Sequence, residues 1–527
     1  MQDIPIDNIY AKSNQSYYNK NVSYDQNELV DCELIDSIIN KLRHNASPGI
    51  DSITAEYLQF GKCQKLFSVL SSIYSIILSY SCVPSSFTHG VIVPVLKKPT
   101  MNPNLTENYR PITISTVLSK MLEHMIIPNA NISNTQFGFR TGMGTSFGCR
   151  LLSDVISYYQ YQSSPLYICS LDAEKCFDNI CHNSLFHKLI DVLPRNHWML
   201  CYRWYKQLHA TVKWKGTYSA DFPVTKGTRQ GSILSPYFFN IFINDLLLEL
   251  RDSNQGVAIG DVHLNSFAYA DDVTVFSSTA IGLQSLIDKC YAYSQKWRFK
   301  FGIKKTKCMS VGKTPLVCNP TWSLGTSNIC QEDKLEILGT TFSNNGTCNL
   351  HVENRASKCR QSYYGLNKCG MVYPGASSDV KCYLWKSICS PVLMYGLDCL
   401  NINKSNVNKL ETMQGNLIKQ SMGLSKRVHS TELLASLGIS KVTELLQKNT
   451  LSLFSRMFKV ETPLRDLTSH FMSLYIDKHI IIPGTIVSTI VSMGLSVIKC
   501  TFNVEQIYLL AYLMYLTIMV ILTPYVQ

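Results

Sequence analysis

Three aspartates carry the chemistry this sequence could perform. Asp271 and Asp272 stand side by side in "LNSFAYADDVTVFSS" (264–278), between two apolar runs, and Asp172 closes a third run, "PLYICSLD" (165–172). A pair of aspartates in a solvated turn needs no function, because the side chain readily bonds its own backbone. At the ends of buried strands the same residues are costly, since like charges repel and desolvation favours the neutral acid. If the three converge, a divalent cation is the usual remedy. Hard carboxylate oxygens suit Mg2+ or Mn2+, and Mg2+ is commonly held by one or two carboxylates together with substrate phosphates. Two such ions about 3.5–4 Å apart clamp the attacking and leaving oxygens of a phosphoryl transfer.

The surrounding pattern predicts the elements that must position these acids. Phe267 and Tyr269 alternate with Ala268 and Ala270, then Val273 and Val275 with Thr274 and Phe276, so the pair sits at the tip of a hairpin. The run before Asp172 lacks polar alternation, as a strand buried on both faces does. "GVIVPVLKKP" reads as a strand and a basic loop, "NYRPITISTVLSKMLEHMI" as a strand passing into a helix, and "SPYFFNIFINDLLLEL" as a long apolar helix. "LQSLIDKCYAYSQKWRFKFG" reads as a helix ended by Gly302, and "KLEILGTTFSNNGT" as a further hairpin. Strands and helices alternate up to 342 and helix dominates afterwards. The expected organisation is a loose polar lead-in (1–30), an α+β domain (31–342), a helical region (343–470) and a hydrophobic tail (471–527).

Bulk properties narrow the partners. Hydrophobic residues make up 46% of the 527, which excludes a disordered chain. A net charge of +12 points to a polyanion or a membrane surface. The 19 cysteines include no CxxC pair. The best zinc set, Cys348, His351, Cys359 and Cys369, is irregularly spaced, so free thiols in a reducing compartment are expected. The start, "MQDIPIDNIY", carries acids and no apolar core, unlike a signal peptide. Ile480–Ile498 and Gln506–Val526 contain no charged residue, and each approaches the roughly 20 residues that span a bilayer.

Taken together, "SLDAEKCFDNI", "GTRQGSILSPYFFNIFINDLL" and "FAYADD" resemble the reverse transcriptase domain of non-LTR (LINE-type) retrotransposons. "NYRPITISTVLSKMLE" and "QFGFRTGMGTS" match that family's finger motifs, "LGTTFSNNG" the block closing its palm, and "PVLMYGLDCL" the segment that follows. The resemblance implies an α+β right-hand polymerase: fingers and palm, built on an antiparallel sheet with flanking helices, then a mostly helical thumb-like region. It implies RNA-directed DNA synthesis by two Mg2+ ions, or Mn2+, on an RNA template, with a DNA or RNA primer and deoxynucleoside triphosphates. A ribonucleoprotein with its own transcript, in nucleus and cytoplasm, is the implied setting.

The family's roles then fall on individual residues. Asp172 and Asp271 match the metal-binding aspartates, and Asp272 the second acid of the turn. Phe177 matches the steric gate against a 2′-hydroxyl. RNA-directed RNA polymerases usually carry an acid at that position, whereas the acid here is one residue later, at Asp178. Gln230 and Gly231 match the loop against the incoming nucleotide, while Arg229 defaults to a surface or template contact. Lys97 and Arg110 match finger residues that neutralise the triphosphate, with Lys98 an equal competitor of Lys97. Lys305 matches the lysine that protonates pyrophosphate, with Lys304 and Lys307 as competitors.

The departures concern the two ends. The first matching motif begins near residue 40, which leaves no room for the endonuclease of full-length members. The chain alone is therefore not expected to prime at a chromosomal nick. The family's cysteine-histidine knuckle is replaced by the hydrophobic tail, read as either a membrane anchor or, preferably, sequence foreign to the domain. A chain lacking 471–527 is expected to keep its activity. The alternatives are a decayed copy that only binds RNA and an intron-maturase relative. The latter would need a basic splicing domain, which 440–527 does not provide.

Overall fold

A computed structural model gives the fold and describes residues 6–20, 29–312, 320–372 and 375–498. The central sheet runs in the order Cys330–Gln331, Lys307–Val311, Leu166–Asp172, Asp272–Ser277, Ser266–Tyr269. Leu166–Asp172 is its middle strand, antiparallel to both neighbours, and the parallel pairing is confined to the edge strand Cys330–Gln331. Tyr167, Cys169 and Leu171 join one hydrophobic core with Ala268, Val273, Val275 and Cys308. Leu166 and Ile168 join another with Phe267, Phe276, Met309 and Val311. The helices Leu234–Arg251 and Ala280–Trp297 supply the first core, and Thr145–Tyr161 with helices beyond 342 the second. A strand covered on both faces has no solvated side to carry polar alternation, which is why "PLYICSLD" reads as it does.

The outer sheet is built on Tyr109–Ile114, His89–Leu96 and His209–Trp214, with the short strands Thr217–Tyr218 and Phe222–Pro223 at one side. His89–Leu96 pairs antiparallel with Tyr109–Ile114 and parallel with His209–Trp214. Beyond the hairpin Lys334–Ile337/Thr340–Ser343 the described chain is helical, as its sequence predicts. The second core nevertheless draws on both sides of residue 342, from Phe137 to Val487.

Three expectations are corrected. The lead-in is not loose, because Ile6–Asn19 is a helix. Tyr10 stacks on His187 at 4.4 Å and on Trp297 at 5.2 Å, Tyr17 meets Trp198 edge-on, and buried Asn14 donates to the Asn183 carbonyl. The tyrosines that made the segment look polar are what dock it, since each ring buries a large apolar area.

The helix expected to end at Gly302 ends at Trp297, with Arg298 left-handed at φ 57°. Phe299 and Phe301 are buried, Phe301 bridges Ala173, and the Gly302 amide donates to the Asp172 carbonyl at 2.8 Å. Carrying the helix through those residues would forfeit that pairing.

The stretch Ile480–Ile498 is not one apolar rod. It turns at Gly484, where φ is 87°, and only Ile486–Ile498 is helical. Ile482, Ile486 and Val487 enter the second core. Among the described residues no helix is long and apolar enough to cross a membrane, and Gln506–Val526 lies outside them. Arg150, fully buried on Thr145–Tyr161, pairs with Asp154 and donates to the Gly484 carbonyl at 2.8 Å; Asp154 accepts from the Ile486 amide at 3.0 Å.

All described cysteines are free thiols. In the rejected zinc set, both ring nitrogens of His351 are taken. Nδ1 accepts from the Thr341 amide and Nε2 faces the Tyr395 carbonyl, while burial lowers its pKa to about 4.

Candidate active site

The central sheet brings the three aspartates together. Asp272 is the cross-strand partner of Asp172, which sets their Cα atoms about 4.5–5.5 Å apart. Asp271 occupies the turn, and its carbonyl accepts from the Ala173 amide at 3.4 Å. Burial, reinforced by the Asp172 charge, raises the pKa of Asp271. Burial and the charges of Asp271 and Asp172 raise that of Asp272 to about 7. Burial and the neighbouring Asp271 likewise push up the Cys176 thiol.

Lys305 Nζ lies 3.0 and 2.7 Å from the two Asp172 oxygens, and that hydrogen bonding raises its own pKa. Its competitor Lys307 is taken by Glu332 at 2.6 Å. Among the described residues no three His, Cys, Asp or Glu side chains are disposed to hold one ion as they stand. The compensating charge beside Asp172 is the Lys305 ammonium. The donor set is chemically suited to a hard cation: carboxylate oxygens gathered at one strand end, two of them made reluctant to ionise by burial and then by their neighbours' charge.

Phe177 is half-buried, stacked on Phe239 at 4.5 Å and meeting Phe139 edge-on at 6.1 Å. Its carbonyl accepts from the Thr228 amide at 2.7 Å. Gly227, at φ 81°, passes so close that a Cβ would lie 2.6 Å from the Asp178 carbonyl oxygen. Gln230 Nε2 donates to Asp178 Oδ1 at 2.7 Å. Burial raises the pKa of Asp178, and the Gln230 hydrogen bond and the positive charges of Lys175 and Lys97 oppose that rise.

The loop is pinned to the outer sheet. The Gln230 carbonyl accepts from the Thr113 amide at 2.6 Å, and a Cβ on Gly231 (φ 115°) would lie 2.6 Å from the Thr113 oxygen. Only glycine tolerates both that contact and that φ. Arg110 is exposed on the same strand, across from Val95. Lys97 Nζ donates to the Glu107 carbonyl at 2.8 Å.

Arg229 is not a surface contact. It is buried, lies 4.9 Å over the Trp204 ring, and pairs with fully buried Glu123 at 2.9 Å. Glu123 also accepts from Ser232 Oγ at 2.9 Å and the Ile233 amide at 2.6 Å, so one carboxylate fixes both ends of the loop. Glu123→Gln leaves the Arg229 charge buried and uncompensated. It is expected to lower the unfolding free energy by about 3–5 kcal/mol. A denaturant midpoint equal to that of the parent chain would contradict this pairing.

Sequence reasoning missed Glu123 and Gln136. Each is fully buried, yet each stands among polar neighbours in the sequence, Glu123 between Lys120 and His124 and Gln136 after Ser133, Asn134 and Thr135, so each reads as a surface residue and the sequence names no partner for either.

Residues 95–342 match the family described as reverse transcriptase (RNA-dependent DNA polymerase). The chain is 24% identical over 442 residues to the RNA-directed DNA polymerase from mobile element jockey of Drosophila funebris, covering 80% of this chain and 47% of that protein. It is 26% identical over 317 residues to the retrovirus-related Pol polyprotein from type-2 retrotransposable element R2DM of Drosophila melanogaster, covering 57% and 29%. The chain spans about half the length of the curated jockey-type relatives it matches. A solved structure of apo telomerase from Candida tropicalis is similar at 12% identity and TM-score 0.37, over 75% of this chain and 68% of that one.

Proposed function

From residues 95–342, a reverse transcriptase domain akin to those of non-LTR retrotransposons, we propose that the chain copies RNA into DNA by adding deoxynucleotides to a primer 3′-hydroxyl. The observation that carries this reading is the strand register pairing Asp172 with Asp272, beside a turn holding Asp271. In it the central sheet is the palm, the outer sheet the fingers, and the helices beyond 342 the thumb.

Asp172, Asp271 and Asp272 would hold two Mg2+ ions, or Mn2+, which when bound neutralise the triphosphate and activate the primer hydroxyl. Lys305, poised on Asp172, hands a proton to the departing pyrophosphate. Gln230, fixed at its amide by Asp178 and at its carbonyl by Thr113, packs against the nucleotide, and Gly231 lets the backbone approach. Lys97 and Arg110 bind the triphosphate, Arg110 through its planar fork. Template and primer are gripped mainly by their phosphates, so binding weakens steeply with salt. The partners in this reading are an RNA template, a DNA or RNA primer, deoxynucleoside triphosphates and the element's own transcript, in nucleus and cytoplasm.

Primer extension on an RNA template with Mg2+ tests the proposal, and absence of any extended product overturns it. The gate has its own test. The Phe177 ring, backed by Phe239, bars a 2′-hydroxyl, so Phe177→Ala is expected to cut discrimination against ribonucleotides by roughly 10–100-fold. An unchanged sugar preference would remove that role from Phe177.

A further inference from the structure

The turn Tyr269–Asp272 is a two-residue connection whose first central residue, Ala270, has φ 55°. Turns with positive φ only at that position ordinarily place glycine there. An alanine held so costs of order 1–3 kcal/mol and persists only where its surroundings impose it. Here the imposing group is Gln136. It is fully buried, and its Oε1 accepts from the Ala270 amide at 2.9 Å. Its Nε2 points back to the Ala270 carbonyl at 3.4 Å, so one side-chain amide spans both polar groups of the strained residue.

Gln136 is itself fixed. Oε1 also accepts from the Gly138 amide at 2.9 Å. Its segment is laced to the adjacent strand, with the Phe137 amide donating to Ala268 at 2.8 Å and the Ala268 amide to Thr135 at 2.9 Å. Asn240 donates to the Gly138 carbonyl at 2.9 Å. A Cβ on Gly138 would lie 2.3 Å from the Ala270 nitrogen, so the segment rests directly on the turn.

We propose that Gln136 is a positioning residue that clamps the Ala270 peptide and thereby sets where the Asp271 and Asp272 carboxylates point. The proposal rests on the polymerase reading above, because the geometry it fixes is that of the metal-holding acids. Carboxylates that receive a cation must be presented within a fraction of an ångström, and groups that orient ligands commonly contribute 10–100-fold to metal affinity or activity. At the strained position itself Ala270 offers only a methyl group, so the hydrogen bonds to its peptide come from Gln136.

Gln136→Met keeps the length and removes every polar atom. In that variant Mn2+ affinity, read by electron paramagnetic resonance, is expected to fall about tenfold or more. The rate constant kcat should fall similarly, while the KM for nucleotide stays within about threefold, because the nucleotide loop is untouched. A residue that merely stabilised the fold would lower the melting temperature and leave Mn2+ affinity unchanged in the folded protein. That result overturns the proposal.

Hydrogen exchange in the wild-type chain supplies a second measurement, independent of whether the variant folds. The Ala270 amide, donated to a buried oxygen, should exchange slowly, and free exchange there overturns the clamp. If the wild-type chain binds Mn2+ but extends no primer, the polymerase reading fails, while the affinity comparison still decides the role of Gln136. If it binds no Mn2+, both fail.

Discussion

Asp271→Asn is expected to abolish nucleotide addition, by at least about a thousandfold or about 4 kcal/mol of transition-state stabilisation, while making the metal-free chain more stable at pH 8. The two effects share one cause. Burial and mutual repulsion raise the pKa of Asp271 and bring Asp272 to about 7. The folded chain therefore binds protons that the unfolded chain, with ordinary carboxyls near 4, has released. Stability of the metal-free fold must then fall as pH rises from about 4 through about 7, and stay reduced above. Asparagine removes one charge from the cluster, so the gain in melting temperature over wild type should be larger at pH 8 than at pH 5. Melting in chelator at both pH values, beside primer extension with Mg2+, checks both halves. Equal extension by variant and wild type would remove the cation from the mechanism. A variant less stable than wild type at pH 8 would show that the acids are not the strained group described.

The second large effect is expected from shortening the chain. A chain ending at residue 470 should lose its fold, and a chain ending at 498 should keep both fold and activity. The reason is the buried pair on Thr145–Tyr161, where Arg150 donates to the Gly484 carbonyl and Asp154 accepts from the Ile486 amide. Removing those backbone partners uncovers the pair and takes from Arg150 and Asp154 one hydrogen bond each, worth about 1.5–3 kcal/mol apiece for bonds to charged groups. The same deletion strips Ile482, Ile486 and Val487 from the second core. Total stabilities run to only about 5–15 kcal/mol, so the combined loss is decisive. Circular dichroism melting of the two chains distinguishes the outcomes. A cooperative melt from the shorter chain would return 471–498 to the status of an appendage.

What the sequence made legible was whatever periodicity records. Each aspartate ends an apolar run, and alternation sets Phe267 against Ala268 and Val273 and Val275 against Phe276, which do enter opposite cores. What it hid was pairing at a distance. Arg229 reads as a surface arginine because nothing nearby neutralises it; its partner Glu123 stands 106 positions earlier. Arg150 and Asp154 look like an ordinary helical i, i+4 pair, and only the chain returning at Gly484, 334 positions later, buries them. The stretch 480–498 looked like a membrane span because an apolar residue entering a core and one entering lipid have the same composition. The lead-in looked loose because tyrosine counts as polar in a pattern, yet stacks on tryptophan in a fold.

The middle strand has a consequence for how the protein comes into being. Leu166–Asp172 leaves the ribosome with neither neighbour yet made, since Asp272–Ser277 and Lys307–Val311 both follow it. Asp172 meets Lys305 only 133 residues later, which at roughly 5–20 residues per second is about 7–27 s of waiting. Until Asp272–Ser277 emerges this apolar strand has two unpaired edges, and one stays open until Lys307–Val311 follows, a state open to capture by chaperones or by another nascent copy. The three aspartates thus come together only late in synthesis, and Lys305 joins them later still.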